Sequence, residues 1–127
     1  MKKKMALVLT VIMITTALFS INIFATTVSG PGGVARLNHM SSGGYLAWSV
    51  TPNETWPYVF EGAITYGGGA VGFFPVAGAG LGGGSASGLA PDWGKGSCTA
   101  TLNGVAVSLD GDIYTVLPNC SVAYYKP

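Results

Sequence analysis

Residues 45–51 read YLAWSVT, a short stretch in which large apolar side chains occupy every second position. Leu46, Trp48 and Val50 fall on one face of an extended chain, and the residues between them fall on the other. Successive side chains of a β-strand point to opposite faces of its sheet, so this period predicts a half-buried strand with Trp48 in the core. Pro52 follows and predicts the end of the strand, because proline cannot donate a hydrogen bond to a ladder.

The same two-residue period recurs along the chain, whereas no segment after residue 25 keeps a helical period. Further strands are predicted at 56–66, 70–81, 98–109, 112–117 and 120–126. Glycine, proline, asparagine and aspartate residues, which favour turns, separate most of these segments. We therefore predict an all-β domain, either a small antiparallel β-sandwich or a barrel-like fold.

Cys98 and Cys120 are the only cysteines, and an even pair in an exported protein predicts a disulfide. Residues 103–104 and 110–111, Asn-Gly and Asp-Gly, both suit two-residue hairpin turns. With both turns the cysteines would lie roughly 15 Å apart along the strands, at about 3.3 Å per residue. That separation exceeds the ~7 Å between Cα atoms that a disulfide allows. If the bond forms, we expect residues 103–104 to be a bulge in one long strand from Cys98 to Leu109, within a hairpin around Asp110-Gly111.

The N-terminus has the arrangement of a secretory signal peptide of bacterial style. Lysines at 2–4 precede the apolar run 5–19, MALVLTVIMITTALF. Cleavage after Ala25 is predicted, which would leave 26–127 as one small secreted domain, extracellular or periplasmic, with 26–33 as a flexible lead-in. The alternative is an uncleaved membrane anchor, since about 20 apolar residues can span a bilayer.

Charged residues make up only 9% of the chain. After residue 25, three basic residues, Arg36, Lys95 and Lys126, stand against all five acidic residues. Proteins that bind nucleic acid need clustered basic side chains that displace counterions from the phosphate backbone. The sequence has no such cluster in this part, so we exclude nucleic acid as a partner.

Side chains that could perform acid–base, nucleophilic or metal chemistry are few. His39, the only histidine, lies beside Ser41 and Ser42 in a segment that favours a solvated loop over a catalytic base. Asp110-Gly111-Asp112 provides too few oxygen ligands for calcium, and two cysteines with one histidine are too few for zinc. We therefore expect a non-enzymatic protein with no metal and no cofactor.

Aromatic side chains give the stronger functional signal. Exposed aromatic rings stack on sugar rings or pack against a protein partner. Three aromatic residues that lie in or beside predicted strands and turns are the candidate ligand-binding residues: Trp56, Tyr58 and Trp93. They predict a secreted binding protein that recognises a glycan or an exported protein on a cell surface.

Residues 67–88 read GGGAVGFFPVAGAGLGGGSASG and lie within 62–91, where the chain has no charged residue. The alternation favours a strand over 70–81 with a glycine face that lets a neighbour approach closely. We predict a mobile glycine-rich loop over 82–91. The alternative function that this segment leaves open is a membrane-active toxin or bacteriocin-like protein that uses residues 67–88.

Overall fold

The computed structural model describes residues 25–127, and this part of the chain contains nine β-strands and no helix. The predicted signal peptide, apart from Ala25, lies outside the described residues. The strands are β1 (Ala25–Gly30), β2 (Gly33–Met40), β3 (Tyr45–Pro52), β4 (Tyr58–Gly68), β5 (Gly72–Gly80), β6 (Ala86–Pro91), β7 (Gly96–Ser108), β8 (Tyr114–Val116) and β9 (Cys120–Lys126).

Two antiparallel sheets are formed, which confirms the all-β prediction. Sheet I has the strand order β1-β2-β3-β6. Sheet II has the order β5-β4-β7, and β7 pairs along its first half with β9 and near its end with β8. All of these pairs are antiparallel.

The core lies between the two sheets. In β3 the predicted apolar face is confirmed, since Leu46, Trp48 and Val50 are all buried and Trp48 is only 3% exposed. The indole of Trp48 faces Phe60 of sheet II, with 5.4 Å between ring centroids. A strand with every second side chain buried forms one wall of a two-layer core, as the period of YLAWSVT predicted.

Strand β5 confirms the strand predicted at 70–81 and its glycine face. A Cβ at Gly78 would lie 3.3 Å from Cη2 of Trp48, and Gly80 lies against the ring of Tyr58. The neighbours that approach the glycine face are therefore core side chains, the rings of Trp48 and Tyr58 together with the methyl group of Ala86. The uncharged segment is used for packing because bulky rings need backbone without side chains opposite them.

Two segments predicted as loops form strands instead. Residues 86–91, expected to belong to a mobile loop, form β6 and pair with β3. Residues 25–30, expected to be largely a flexible lead-in, form β1 and pair with β2, and Thr26 Oγ1 donates to the carbonyl of Ser121 in β9. Apart from Val28 and Leu89, both segments have small or polar side chains, so neither carries an apolar pattern strong enough to predict its pairing.

The long strand from Cys98 is confirmed in β7, but the predicted bulge in it is wrong. Gly104 pairs with Gly62 in an unbroken ladder with β4. The extra residue lies on the other side of β7, where the three residues 117–119 between β8 and β9 oppose residues 103–104. The turn is also longer than predicted, because Ser108 N–H donates to the carbonyl of Ile113 and closes a loop over 109–112.

The predicted disulfide is wrong. Cys98 lies opposite Tyr124, and Cys120 lies opposite Leu102, so the two cysteines are four positions apart along β7. That offset is roughly 13 Å at about 3.3 Å per residue, well beyond disulfide reach. Both thiols are free and buried. The two cysteines lie at different distances from the loop over 109–112. More residues separate Cys98 from this loop than separate Cys120 from it, and the bulge at 117–119 increases the offset by one residue.

Candidate functional site

The structure does not bring the three predicted site residues together. Tyr58 is 1% exposed, and its hydroxyl donates to the carbonyl of Gly84 at 2.8 Å. Trp56 is half-buried before β4 and packs against the core. Trp93, in the loop between β6 and β7, is 43% exposed. Trp56 and Trp93 lie at opposite ends of the two sheets, so a single site cannot include both.

Trp93 belongs to an aromatic corner, which we define as Tyr66, Phe74 and Trp93. Its ring centroid lies 4.9 Å from that of Tyr66 on β4 and 5.9 Å from that of Phe74 on β5, the latter in an edge-on geometry. Val71 and Phe73, beside the corner in sequence, are 88% and 65% exposed. Phe73 points to the opposite face of β5 from Phe74, so the exposed part of the corner itself is the Trp93 indole. A partly exposed tryptophan on a packed aromatic group is typical of a recognition surface.

Two buried phenols fix the backbone that carries Trp93. Tyr66 Oη donates to the carbonyl of Pro91, and Tyr124 Oη donates to the carbonyl of Trp93. Burial raises the pKa of Tyr66 to about 12, and burial likewise raises the pKa of Tyr124 above its ordinary value. Both hydroxyls therefore keep their protons at neutral pH and remain donors, so the indole is held on an ordered loop.

An ion cluster, defined as His39, Asp92 and Lys126, lies directly behind Trp93. The Asp92 carboxylate is 7% exposed, with Oδ2 at 2.9 Å from His39 Nε2 and Oδ1 at 2.9 Å from Lys126 Nζ. Burial alone would raise the pKa of Asp92, but the hydrogen bonds from His39 and Lys126 outweigh burial and lower it. The ion cluster ties β2, the loop after β6, and β9 to one another.

The expectation that His39 lies in a solvated loop is wrong. His39 is in β2, its side chain is 11% exposed, and its ring lies 4.8 Å from that of Tyr124. Within residues 25–127 its side chain is hydrogen-bonded only to Asp92, and no hydroxyl or thiol lies within hydrogen-bonding reach of the ring. The pair holds Asp92, the residue before Trp93, against β2.

Two surface clefts lie outside the aromatic corner. The first, of about 440 Å³, is at the Trp56 end and is lined by residues of β1, β2 and β3 with Glu54 and Gly83. Glu54 Oε1 accepts a hydrogen bond from Thr115 Oγ1 at 2.7 Å, so this carboxylate is already partnered. The second, of about 390 Å³, is a groove on the outer face of sheet I. Sequence reasoning did not single out this groove, because an outward-facing strand pattern predicts solvent exposure but not concavity.

Residues 25–127 contain no group of three or more side chains arranged to hold a metal ion. The same part of the chain contains no helix with the length and apolar character needed to cross a membrane. Comparison with models of protein families, with curated proteins and with solved structures found no match for this chain.

Proposed function

We propose that this protein is a secreted, non-enzymatic binding protein that recognises a cell-surface glycan or an exported protein through its aromatic corner. The single observation that carries the proposal is Trp93, which is 43% exposed and rests on an ordered loop. Tryptophan supplies a large apolar face at low entropic cost, and tryptophan side chains are among the commonest residues that dominate binding energy.

Preorganisation supports this assignment. A side chain that moves freely before binding must lose that freedom in the complex, at roughly 0.5–1.5 kcal/mol for a rotamer-rich residue. Trp93 has already lost it, because Tyr66 and Phe74 pack against its ring and Tyr124 holds its carbonyl. The exposed part of the indole is therefore ready to stack on a sugar ring or insert into a partner.

The proposal is tested by measuring the affinity of the protein for immobilised cell-surface polysaccharides and for exported proteins. For Trp93→Ala we expect affinity to fall by about 30-fold, corresponding to ~2 kcal/mol for a tryptophan that dominates an interface. Leu109→Ala is the matched control, because Leu109 is an exposed apolar residue at the opposite end of the sheets. Trp56→Ala is expected to lower stability and leave affinity unchanged, since Trp56 packs against the core. Equal affinity of wild type and Trp93→Ala for every ligand bound would refute the proposal.

Export is tested separately by sequencing the N-terminus of the protein recovered outside the cytoplasm. The predicted cleavage after Ala25 requires Thr26 to be the first residue of that protein. Recovery of the full-length chain in the membrane fraction would instead support the uncleaved anchor.

A membrane-active protein remains the second candidate, and the exposed side chains of Val71 and Phe73 within 67–88 favour it. Against it, most of this segment is already paired in β5 and β6, and leaving those strands would expose Val76 and Ala86 of the core. Dye release from liposomes of bacterial lipid composition distinguishes the two functions. We expect no release by the folded protein, and release at micromolar concentration would favour the membrane-active function.

A further inference from the structure

The groove on the outer face of sheet I is built from the strand register. Arg36 of β2, Ser49 of β3 and Ser87 of β6 are aligned across the sheet in one row. In the next row Asn38, Ala47 and Leu89 are aligned in the same way. Strand β3 contributes the small side chains of Ser49 and Ala47. The longer side chains of Arg36 and Asn38 on β2 stand on one side of them, and Leu89 on β6 stands on the other. A shallow trough of about 390 Å³ results, which lies within the roughly 300–1,000 Å³ of small-molecule sites.

The polar groups of this trough have no partners in the described part of the chain. Among residues 25–127, none hydrogen-bonds to the side chains of Arg36, Asn38, Ser49 or Ser87. One row further along the same face, Thr51 Oγ1 and Ser85 Oγ bond to each other at 2.6 Å. The polar side chains of the groove therefore have hydrogen-bond donors and acceptors free, whereas those of the neighbouring Thr51–Ser85 row bond to each other.

The charge of the groove is positive and uncompensated. Arg36 is the only arginine of the chain, and its guanidinium has no carboxylate within 4.0 Å among the described residues. All five acidic residues lie outside the four strands of sheet I. A planar guanidinium presents paired N–H donors that match the two oxygens of a carboxylate.

We propose that this groove binds an acidic glycan, with the carboxylate of a uronic acid on Arg36. The sugar hydroxyls match the free hydroxyls of Ser49 and Ser87 and the amide of Asn38, and Leu89, 61% exposed, offers an apolar wall for the sugar ring. An acidic peptide would supply the carboxylate but not the hydroxyls that this polar trough is equipped to bind.

Leu89 of β6 lines the groove, whereas Trp93 of the aromatic corner lies in the loop after β6 and packs against residues of sheet II. The groove is therefore a site separate from the aromatic corner. The inference rests on the proposed function only in taking the ligand to be a glycan, and Arg36 recognition does not require Trp93.

Isothermal titration calorimetry of the purified protein tests the inference. The three ligands are a short oligogalacturonate, a neutral oligogalactan of equal length, and polyglutamate. We expect the oligogalacturonate to bind best, and Arg36→Gln to weaken it about tenfold or more through loss of a charge-assisted pair. Arg36→Lys is expected to retain part of the affinity, because the charge remains and the paired donors do not. Asn38→Asp is a second variant, which adds a repelling carboxylate beside Arg36.

Lys95→Gln is the charge-matched control, since Lys95 is an exposed cation outside sheet I, and we expect it to leave the acidic preference unchanged. Trp93→Ala should also leave the preference for acidic over neutral sugar unchanged, even where total affinity falls. No binding of oligogalacturonate, equal binding by Arg36→Gln, or equal binding of polyglutamate would each overturn the inference. Binding of neutral glycan that depends on Trp93 and not on Arg36 would overturn it and leave the proposed function standing.

Discussion

Trp48 and Gly88 lie directly opposite each other in the β3–β6 ladder, and a Cβ at Gly88 would lie 2.9 Å from Cζ2 and 3.0 Å from Nε1 of the indole. Glycine at this position thus makes room for the largest side chain of sheet I. Gly88→Ala should destabilise the protein by about 1–3 kcal/mol, the usual cost of overpacking a filled core. Urea unfolding followed by circular dichroism measures the change.

A double-mutant cycle isolates the cause, because the three atoms nearest to this Cβ all belong to the side chain of Trp48. Gly88→Ala should therefore cost much less in a Trp48→Phe background than in the wild type. An equal cost in both backgrounds would show that Gly88 is needed for a reason other than the indole.

The ion cluster behind Trp93 makes stability depend on pH. Because the folded-state pKa of Asp92 lies below the ordinary value of 3.8, its carboxylate stabilises the fold above that value. This contribution is lost as the pH falls through the lowered pKa of the folded state. We expect the urea midpoint of the wild type to drop below pH ~4, and Asp92→Asn to show a smaller drop from a lower starting stability.

Asp112→Asn is the control for the acid dependence, since Asp112 is exposed on the loop after β7. Some acid dependence should remain in Asp92→Asn, because hydrogen bonds from Ser108 and from the Asp112 amide also lower the pKa of Asp110. An unchanged pH profile in Asp92→Asn would contradict the role given to the ion cluster.

The two cysteines should behave as buried thiols. Cys98 is 2% and Cys120 0% exposed, and burial raises the pKa of Cys120. We expect a thiol reagent to label neither cysteine in the native protein and both in denaturant, and reductant to leave the unfolding midpoint unchanged. A mass lower by two hydrogens in the secreted protein, with a midpoint that falls on reduction, would contradict this expectation.

Tyr58, predicted as a ligand-binding residue, is expected to act on stability. Tyr58→Phe removes the hydrogen bond to the Gly84 carbonyl and should cost about 1 kcal/mol while making the loop over 81–85 easier to cleave by protease. Tyr45→Phe is the matched change, because Tyr45 is only half-buried and its hydroxyl has no hydrogen-bond partner among the described residues. Similar losses in both variants would argue against a specific role for the Gly84 contact.

The sequence was sufficient to predict strands wherever large side chains mark one face. This holds for β3 and β4, where large side chains at alternate positions identify the buried face. In β5 the alternation predicted the strand, but its large side chains lie on both faces, with Phe73 exposed and Val76 buried. It does not hold for β6, whose inward residues are Ala86, Gly88 and Ala90. Small residues are needed there because the indole of Trp48 lies against this strand. That requirement follows from the pairing of β3 with β6, which the sequence of β6 alone does not reveal.

The candidate site was predictable only in part, because it is assembled from residues far apart in the chain. Exposure of Trp93 agrees with its position beside proline and glycine in a loop. The ion cluster joins Asp92 to His39 across 53 positions and to Lys126 across 34, and no local pattern records such pairings. The sequence likewise could not show that Arg36 lacks a carboxylate partner, because that depends on where the fold places the acidic residues.

The return of β6 to β3 has a consequence for how fast the chain folds. Between β3 and β6 the chain leaves sheet I and forms the β4–β5 hairpin of sheet II. Tyr45 can therefore pair with Pro91 only after the 45 intervening residues (46–90) have been brought together in a closed loop. Such distant pairings slow folding, because loop entropy is lost before the contacts repay it. Refolding from urea is therefore expected on the millisecond-to-second scale of all-β proteins dominated by distant pairings. A ribosome-bound chain that stops before residue 86 would leave the outer edge of β3 open to other strands.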